Sequence, residues 1–226
     1  MARPKALTPI ELVRQESLTS LVQREIERRI VAGELAPGAK LNEAELAAAM
    51  GISRGPVREA FRALGQAGLV QTEKNRGVFV RQVSLEEASE IYEVRAALEA
   101  QIGRLAAARA RPAQVERLRA IVKRMRAAGR DPDAYFPLNI EFHEALAEAA
   151  ANRALAAHYR RVVNELNLYR REAIRRNLEV IPVSTKEHGA IVDAVAKGDA
   201  AAAERLLYEH VISSRSRLLQ KTREAA

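Results

Sequence analysis

The chain has 226 residues, 37 of them lysine or arginine against 29 aspartate or glutamate, giving a formal charge of +8 and a pI near 10.1. That length allows one large domain or two modest ones, each able to bury a core. The absence of cysteine excludes a disulfide framework and thiolate metal sites, so any metal falls to His, Asp, Glu or Asn. No run of 18 apolar residues and no secretory h-region occurs, so no membrane partner is expected and the default location is cytoplasmic. Aromatics make up only 4% of the chain, and alanine, leucine, arginine and glutamate dominate, which points to a mainly α protein. The positive charge favours a polyanionic partner, although acidic residues are interspersed with the basic ones.

Residues 1–15 carry Pro4 and Pro9 without clear periodicity and are expected to be a mobile arm, with Arg3 and Lys5 available to DNA. From Leu18 the apolar positions Leu21, Val22, Ile26 and Ile30 predict a first helix, stopped near Gly33, and Pro37-Gly38 predicts a turn. Glu43 to Met50 reads as a short second helix with Leu46, Ala47 and Met50 inward, and Gly51 turns into a third. Ser53 is placed to cap that third helix, Pro56 falls in its first turn, and Gly68 closes it. Val57, Ala60, Phe61 and Leu64 form its apolar stripe, while Arg54, Arg58 and Arg62 rise off another side. Two short helices around a glycine-bearing turn make a helix-turn-helix whose second helix reads DNA. Taken alone, an arginine ladder is usually a solvated face.

After Gly68 the period changes. Leu69 to Thr72 and Val78 to Val80 are β-prone runs around Glu73-Lys74-Asn75-Arg76-Gly77, which predicts a hairpin with glycine in its turn. A hairpin behind a reading helix is a wing, and its tip is basic and polar, as a minor-groove or phosphate contact requires.

The run from Gly33-Glu34-Leu35-Ala36-Pro37-Gly38 through Leu41, Glu45-Leu46-Ala47 and Gly51 to Ala60, then Gly68-Leu69-Val70 and Asn75 to Val80, resembles the winged helix-turn-helix of the GntR family of bacterial transcription regulators. The resemblance covers most of 16–83. It implies that Arg54 and Arg58 contact operator bases and backbone and that Arg76-Gly77 enters the minor groove; Arg62 joins the candidate contacts from the arginine ladder and Lys74 from the basic wing tip. Some relatives carry another DNA-contacting arginine early in the second helix, where this chain has Glu43-Ala44-Glu45.

Val83-Ser84 marks the expected boundary to a second domain, 84–222. Ser84 with Glu87 makes a capping box for a long helix to about Arg111, and Pro112 starts another. Further helices are predicted from Asp131-Pro132 to about Ala151, from Arg153 to about Asn177, from a cap at Ser184 with Glu187, and from Asp199 to near the end. Six helices with short links make an antiparallel bundle.

Polar residues inside its apolar stripes carry the most information. His143 sits among Phe136, Ile140, Leu146 and Ala147, with Asn139 one turn earlier; His188 lies among Ile191, Val192 and Val195; His210 shares a face with Ala203, Leu206 and Leu207. A single inward histidine is usually a core imidazole hydrogen-bonded to backbone. Three from three helices point instead to a divalent-metal site, whereas His158 stands at the edge of its stripe and reads as incidental. Arg95 falls within the stripe of Ile91, Leu98 and Ile102, where its charge needs either Glu99, one turn on, or a bound anion.

Glu93 to Glu99, Asn139-Ile140-Glu141-Phe142-His143, Glu187-His188 with Ile191, and His210 resemble the all-helical FCD effector domain of FadR-type GntR regulators, and six helices point to the VanR-like branch. That resemblance implies a divalent metal held by an aspartate and three histidines beside a pocket for a small carboxylate. Asn139 stands here where the aspartate is usual. Its amide is neutral, so the site loses a charge of −1, binds metal less tightly and leaves a bound metal more attractive to an anion. Zinc is the first choice for imidazole ligands, with nickel and manganese as alternatives. A metal-free pocket, with the histidines and Arg95 holding an organic acid directly, is the competing arrangement.

The expected protein is a ligand-responsive DNA-binding regulator, a repressor, working as a homodimer whose reading helices about 34 Å apart match a palindromic operator. The rival class is an enzyme using three histidines to activate water on zinc, against which no carboxylate stands at a fixed spacing for a general base. An architectural DNA binder without a ligand would leave the buried polar constellation unexplained.

Overall fold

The computed structural model describes residues 17–224, so the expected arm with Arg3 and Lys5 lies outside the described residues. The chain divides between Gln82 and Val83 into two compact units.

The first unit comprises α1 (Leu18–Val31), β1 (Lys40–Leu41), α2 (Glu43–Met50), α3 (Arg54–Gln66), β2 (Val70–Glu73) and β3 (Gly77–Val80). Ser17 caps α1 by accepting the Ser20 N–H at 3.2 Å, and the buried face of Val22, Ile26 and Ile30 packs on α3. Asn42 caps α2 by accepting the Ala44 and Glu45 N–H groups, and Gly51, at φ +65°, turns the chain into α3. Ser53 occupies the start of α3 without making the expected side-chain capping bond. Pro56, at the third helical position, has removed one of the N–H groups such a cap would satisfy. Val57, Ala60, Phe61 and Leu64 are buried, and Leu69 N–H closes the far end on Leu64 O at 3.0 Å, with Gly68 at φ +78°.

The hairpin forms, but a third strand joins it. β3 lies between β2 and β1, with Val70 opposite Val80 on one side and Lys40 opposite Phe79 on the other, both antiparallel. Two residues are too few to show an alternating pattern, so β1 has no sequence signal of its own. At the wing tip the left-handed residue is Asn75, φ +64°, rather than glycine alone.

The second unit is a six-helix bundle: α4 (Leu85–Arg109), α5 (Pro112–Ala128), α6 (Pro132–Ala149), α7 (Arg153–Arg176), α8 (Val180–Ala196) and α9 (Ala200–Glu224). Ser84, Asp131, Asn152 and Asp199 cap α4, α6, α7 and α9 through their side-chain oxygens. The predicted start of α8 is corrected. The helix begins at Val180, four residues earlier, because Pro182 is tolerated within a first turn that needs no N–H there. Ser184 is therefore inside α8 and buried, accepting the Tyr135 hydroxyl at 2.7 Å. α4 packs along α9 so closely that a Cβ on Gly103 would lie 2.6 Å from Ala203 O and 2.7 Å from Leu207 Cδ1.

Candidate DNA-reading face and buried polar site

In the first unit Arg54, Arg58 and Arg62 lie along the exposed side of α3, opposite its buried stripe, and Lys74, Arg76 and Gly77 are exposed at the wing tip. Most of these arginines have acidic companions. Glu43, in the first turn of α2, accepts Arg58 Nε at 3.1 Å and Nη2 at 2.8 Å; Glu59 pairs with Arg62 at 2.6 Å. Glu73 pairs with Arg76, whose guanidinium also stands 5.4 Å over the Phe79 ring. Arg54 makes no hydrogen bond or ion pair among the described residues. The i,i+3 pairs of Arg62 and Arg76 are exposed, are worth little and yield readily to a phosphate or base, whereas the Arg58–Glu43 pair is bidentate and its carboxylate half-buried. Arg58 holds the Glu43 carboxyl below its ordinary range. Helical spacing along α3 cannot reveal that pair, because its partners are 15 residues apart on two helices.

The second unit brings together the polar residues that the stripes of α4, α6, α8 and α9 turn inward. His143, His188 and His210 are almost wholly buried, and their nearest ring nitrogens all lie within 4.8 Å of one another. Ring centroids are 5.2 Å apart for His143 and His188, 5.3 Å for His143 and His210, and 4.6 Å for His188 and His210. Burial drives all three toward the neutral form, His143 down to about 3, and the neighbouring imidazoles add to the effect on His188. Neutral imidazole is the form that ligates a metal.

Two carboxylates stand behind this cluster. Glu187 Oε2 is 2.7 Å from His210 Nδ1, and the same carboxylate receives Arg217 at 2.8 and 2.9 Å; against its partial burial, the bonds from His210 and Arg217 pull Glu187 down to about 2. Nδ1 thus carries the proton, and His210 Nε2 keeps its lone pair. Glu99 Oε2 approaches His143 Nδ1 to 2.7 Å, but off the hydrogen-bond line. His188 has neither kind of support: both its ring nitrogens are buried without a hydrogen-bond partner among the described residues. It packs against Phe142, with ring centroids 4.3 Å apart.

Of the two readings of Arg95, the internal pair forms. Arg95 Nε donates to Glu99 Oε1 at 2.7 Å, both side chains being removed from water, while Nη2 stands 3.4 Å from His143 Nε2 and Nη1 has no partner. Among the described residues, Arg170 is a buried cation with no carboxylate partner. It is 4% exposed and donates only a long 3.4 Å bond to Asn167, and its Nε is unpartnered. Burial and the nearby charge of Arg95 both weaken its hold on a proton. Arg170 sits in the apolar stripe of Val163, Leu166 and Ile174 on α7, the same signal that marks Arg95 on α4. A narrow recess reaches Tyr135, Asn139, Arg170, Ser184, His210, Ser214 and Arg217, so it joins His210, one member of the histidine cluster, to two guanidinium groups and three hydroxyls. Asn139 Oδ1 accepts a long bond from Tyr135, and its Nδ2 is unpartnered. His158 is exposed.

The donor set fits a divalent metal: three neutral imidazoles within reach of one another, a neighbouring amide, and a carboxylate that orients the His210 ring. No helix among the described residues is long and apolar enough to cross a membrane. Residues 18–80 match the profile described as "Bacterial regulatory proteins, gntR family", and residues 90–213 match the FCD domain. The chain is 34% identical over 199 residues to the "Probable D-xylose utilization operon transcriptional repressor" of Paenarthrobacter nicotinovorans, covering 86% of each protein. It is 30% identical to the HTH-type transcriptional regulator LutR of Bacillus subtilis (strain 168), covering 79% of this chain and 91% of that one. Among solved structures, E. coli McbR/YncC superposes with a TM-score of 0.80 at 21% identity over 91% of this chain and 99% of that one, a likeness of fold. These relatives are transcriptional regulators rather than enzymes, and the chain belongs to the GntR family of bacterial DNA-binding transcription regulators, with an FCD domain as its second unit.

Proposed function

We propose that the protein is a repressor that works in the cytoplasm as a homodimer on a palindromic operator, and that it responds to a small carboxylate bound in the FCD unit beside a divalent metal. The observation that carries this reading is His188. A neutral imidazole buried with both nitrogens unpartnered costs free energy that a core residue would avoid, whereas a cation approached by His143, His188 and His210 satisfies one nitrogen of each ring. Asn139 would add a neutral oxygen. With no aspartate in the set, the ion keeps its full charge toward a ligand, and zinc suits the three imidazoles best, ahead of nickel and manganese. When bound, the metal supplies a fixed positive charge that orients a carboxylate.

The protein's own contribution to anion binding is Arg170, with Ser184 and Ser214 in the same recess and Arg95 Nη1 in reserve behind Glu99. The recess admits little more than a water molecule, so an effector must displace side chains, and their displacement is what can bias the two units toward or away from the operator-binding arrangement. A coupling of about 1–3 kcal/mol changes operator affinity from several-fold to about a hundredfold. Arg54, Arg58, Arg62, Lys74, Arg76 and Gly77 supply the DNA contacts, a repressor name among the relatives agrees with the sign of regulation, and the wing and α3 from two copies would meet successive turns of the duplex.

The test is elemental analysis of untagged protein, wild type against His188→Ala, followed by thermal melting with small mono-, di- and tricarboxylates. About one metal per chain, lost in the variant, with a carboxylate that raises Tm only in the metal-loaded protein, is the expected result. Absence of metal after dialysis against zinc overturns the metal assignment, and a carboxylate that still raises Tm then leaves Arg170 and the histidines as a direct anion pocket.

A further inference from the structure

Arg58 offers DNA a guanidinium that is already half engaged. Glu43 takes its side edge, Nε at 3.1 Å and Nη2 at 2.8 Å, in a bidentate pair across the two helices of the helix-turn-helix. The end edge, the N–H groups of Nη1 and the remaining N–H of Nη2, stays available, and that is a two-pronged fork of the shape that grips guanine O6 and N7 together. A long arginine on an exposed helix face otherwise samples many rotamers, which an ordered contact must freeze. Glu43 is itself held. It stands in the first turn of α2, where the helix dipole favours a carboxylate, behind the Asn42 cap, and its side chain is only 26% exposed against 60% for Arg58.

We propose that Glu43 is a positioning residue for base recognition: it fixes Arg58 with its end edge toward the major groove and thereby makes guanine the preferred base at the position Arg58 meets. This rests on Arg58 reading a base. The arrangement differs from the other acidic companions on this face. Glu59 and Arg62 share one helix three residues apart, and Glu73 and Arg76 share one hairpin, so neither pair fixes an arginine relative to a second element. Glu43 ties the reading helix to the helix before it. Its cost is a negative charge near the phosphates, which lowers affinity for any duplex while raising discrimination among duplexes.

The experiment is selection of binding sites from a random duplex library by wild type, Glu43→Gln, Glu43→Asp and Arg58→Ala, with affinity for a fixed random-sequence duplex measured in parallel as the folding and non-specific control. The expected result is a strong guanine in each half-site of the wild-type consensus, absent with Arg58→Ala. Discrimination at that position should fall about tenfold in Glu43→Gln and Glu43→Asp, while both bind the random duplex at least as tightly as wild type does. Three outcomes overturn the proposal and are told apart. If Arg58→Ala keeps the guanine, Arg58 does not read a base. If Arg58→Ala loses it but both Glu43 variants keep it at wild-type strength, Arg58 reads unaided and Glu43 is only a charge beside the backbone. Changing Glu43 in the Arg58→Ala background should leave the consensus unaltered; a shift there would mean that Glu43 contacts a base itself, which also overturns the positioning role.

Discussion

Arg95 and Glu99 lie one turn apart on α4 with both side chains almost wholly removed from solvent, and their 2.7 Å contact is the only full neutralisation of charge in the core of the FCD unit among the described residues. Glu99 is held ionised, well below the usual carboxylate range, by the Arg95 guanidinium against the opposing effect of its own burial. Removing one partner leaves the other as an unpaired buried charge. Glu99→Ala should therefore cost about 3–5 kcal/mol in urea unfolding, whereas the double variant Arg95→Met with Glu99→Leu should recover most of that loss. A single variant as stable as the wild type would show that water reaches the pair.

His188 separates a structural imidazole from a ligating one. In the presence of a chelator, His188→Leu should melt at or above the wild-type temperature, since leucine removes two buried, unpartnered nitrogens from an apolar wall that includes Phe142. With zinc at a hundred times its dissociation constant the wild type should gain about 2.7 kcal/mol and the variant nothing. If zinc moves both melting curves equally, the metal sits elsewhere.

Arg54 and Arg62 occupy the same face of α3 but differ in company, for Arg62 is paired with Glu59 and Arg54 with no carboxylate among the described residues. Arg54→Ala should weaken binding to every duplex and reduce the slope of log affinity against log salt by about 1. Arg62→Ala should do less, because breaking its pair with Glu59 offsets part of each phosphate contact. Equal losses would mean that the pair opens freely and carries no weight in the complex.

Acid should act on the first unit through Glu25. Its carboxyl accepts bonds from Arg28 and Arg29 at 2.7–3.1 Å, and these hold its pKa at about 2 in the folded chain against an ordinary 4.5. A carboxyl whose folded pKa is lowered contributes stability that is fully present above about 4.5 and fades as pH falls toward 2. The Tm difference between wild type and Glu25→Gln should thus be largest near neutrality, close by about pH 2, and shrink in high salt, because the pair is exposed. A difference that persists unchanged at pH 2 would assign the effect of the substitution to something other than charge.

Much of this architecture is legible along the chain because it is encoded locally. Apolar spacing sets the helices, and Gly51 and Gly68 punctuate them at left-handed turns. What escapes is what depends on two distant segments at once. β1 exists only because β3 offers it partners, and Glu43 has meaning only beside Arg58. Ser184 followed by Glu187 is a sound capping pattern, yet the helix was already running from Val180, and the serine serves Tyr135 instead. In the buried site the three histidines stand out as polar residues on apolar stripes. Arg170 gives the same signal on α7, but as one of many arginines on that helix it is conspicuous only once its burial is known.

The short strand β1 changes what the wing is. Gly38 N–H bonds to Val80 O at 3.0 Å and Val80 N–H to Ala39 O at 2.9 Å, so the segment entering the helix-turn-helix is stitched to the strand leaving the wing. A two-stranded ribbon would fray from its tip and exchange its amide hydrogens within seconds, independently of the helices. A ribbon whose inner strand is bonded on both edges must instead wait for the whole unit to open. The Val80 amide should then exchange at the same slow pace as the amides of α3, and the wing moves as a rigid extension of the helix-turn-helix rather than a tether that folds on contact.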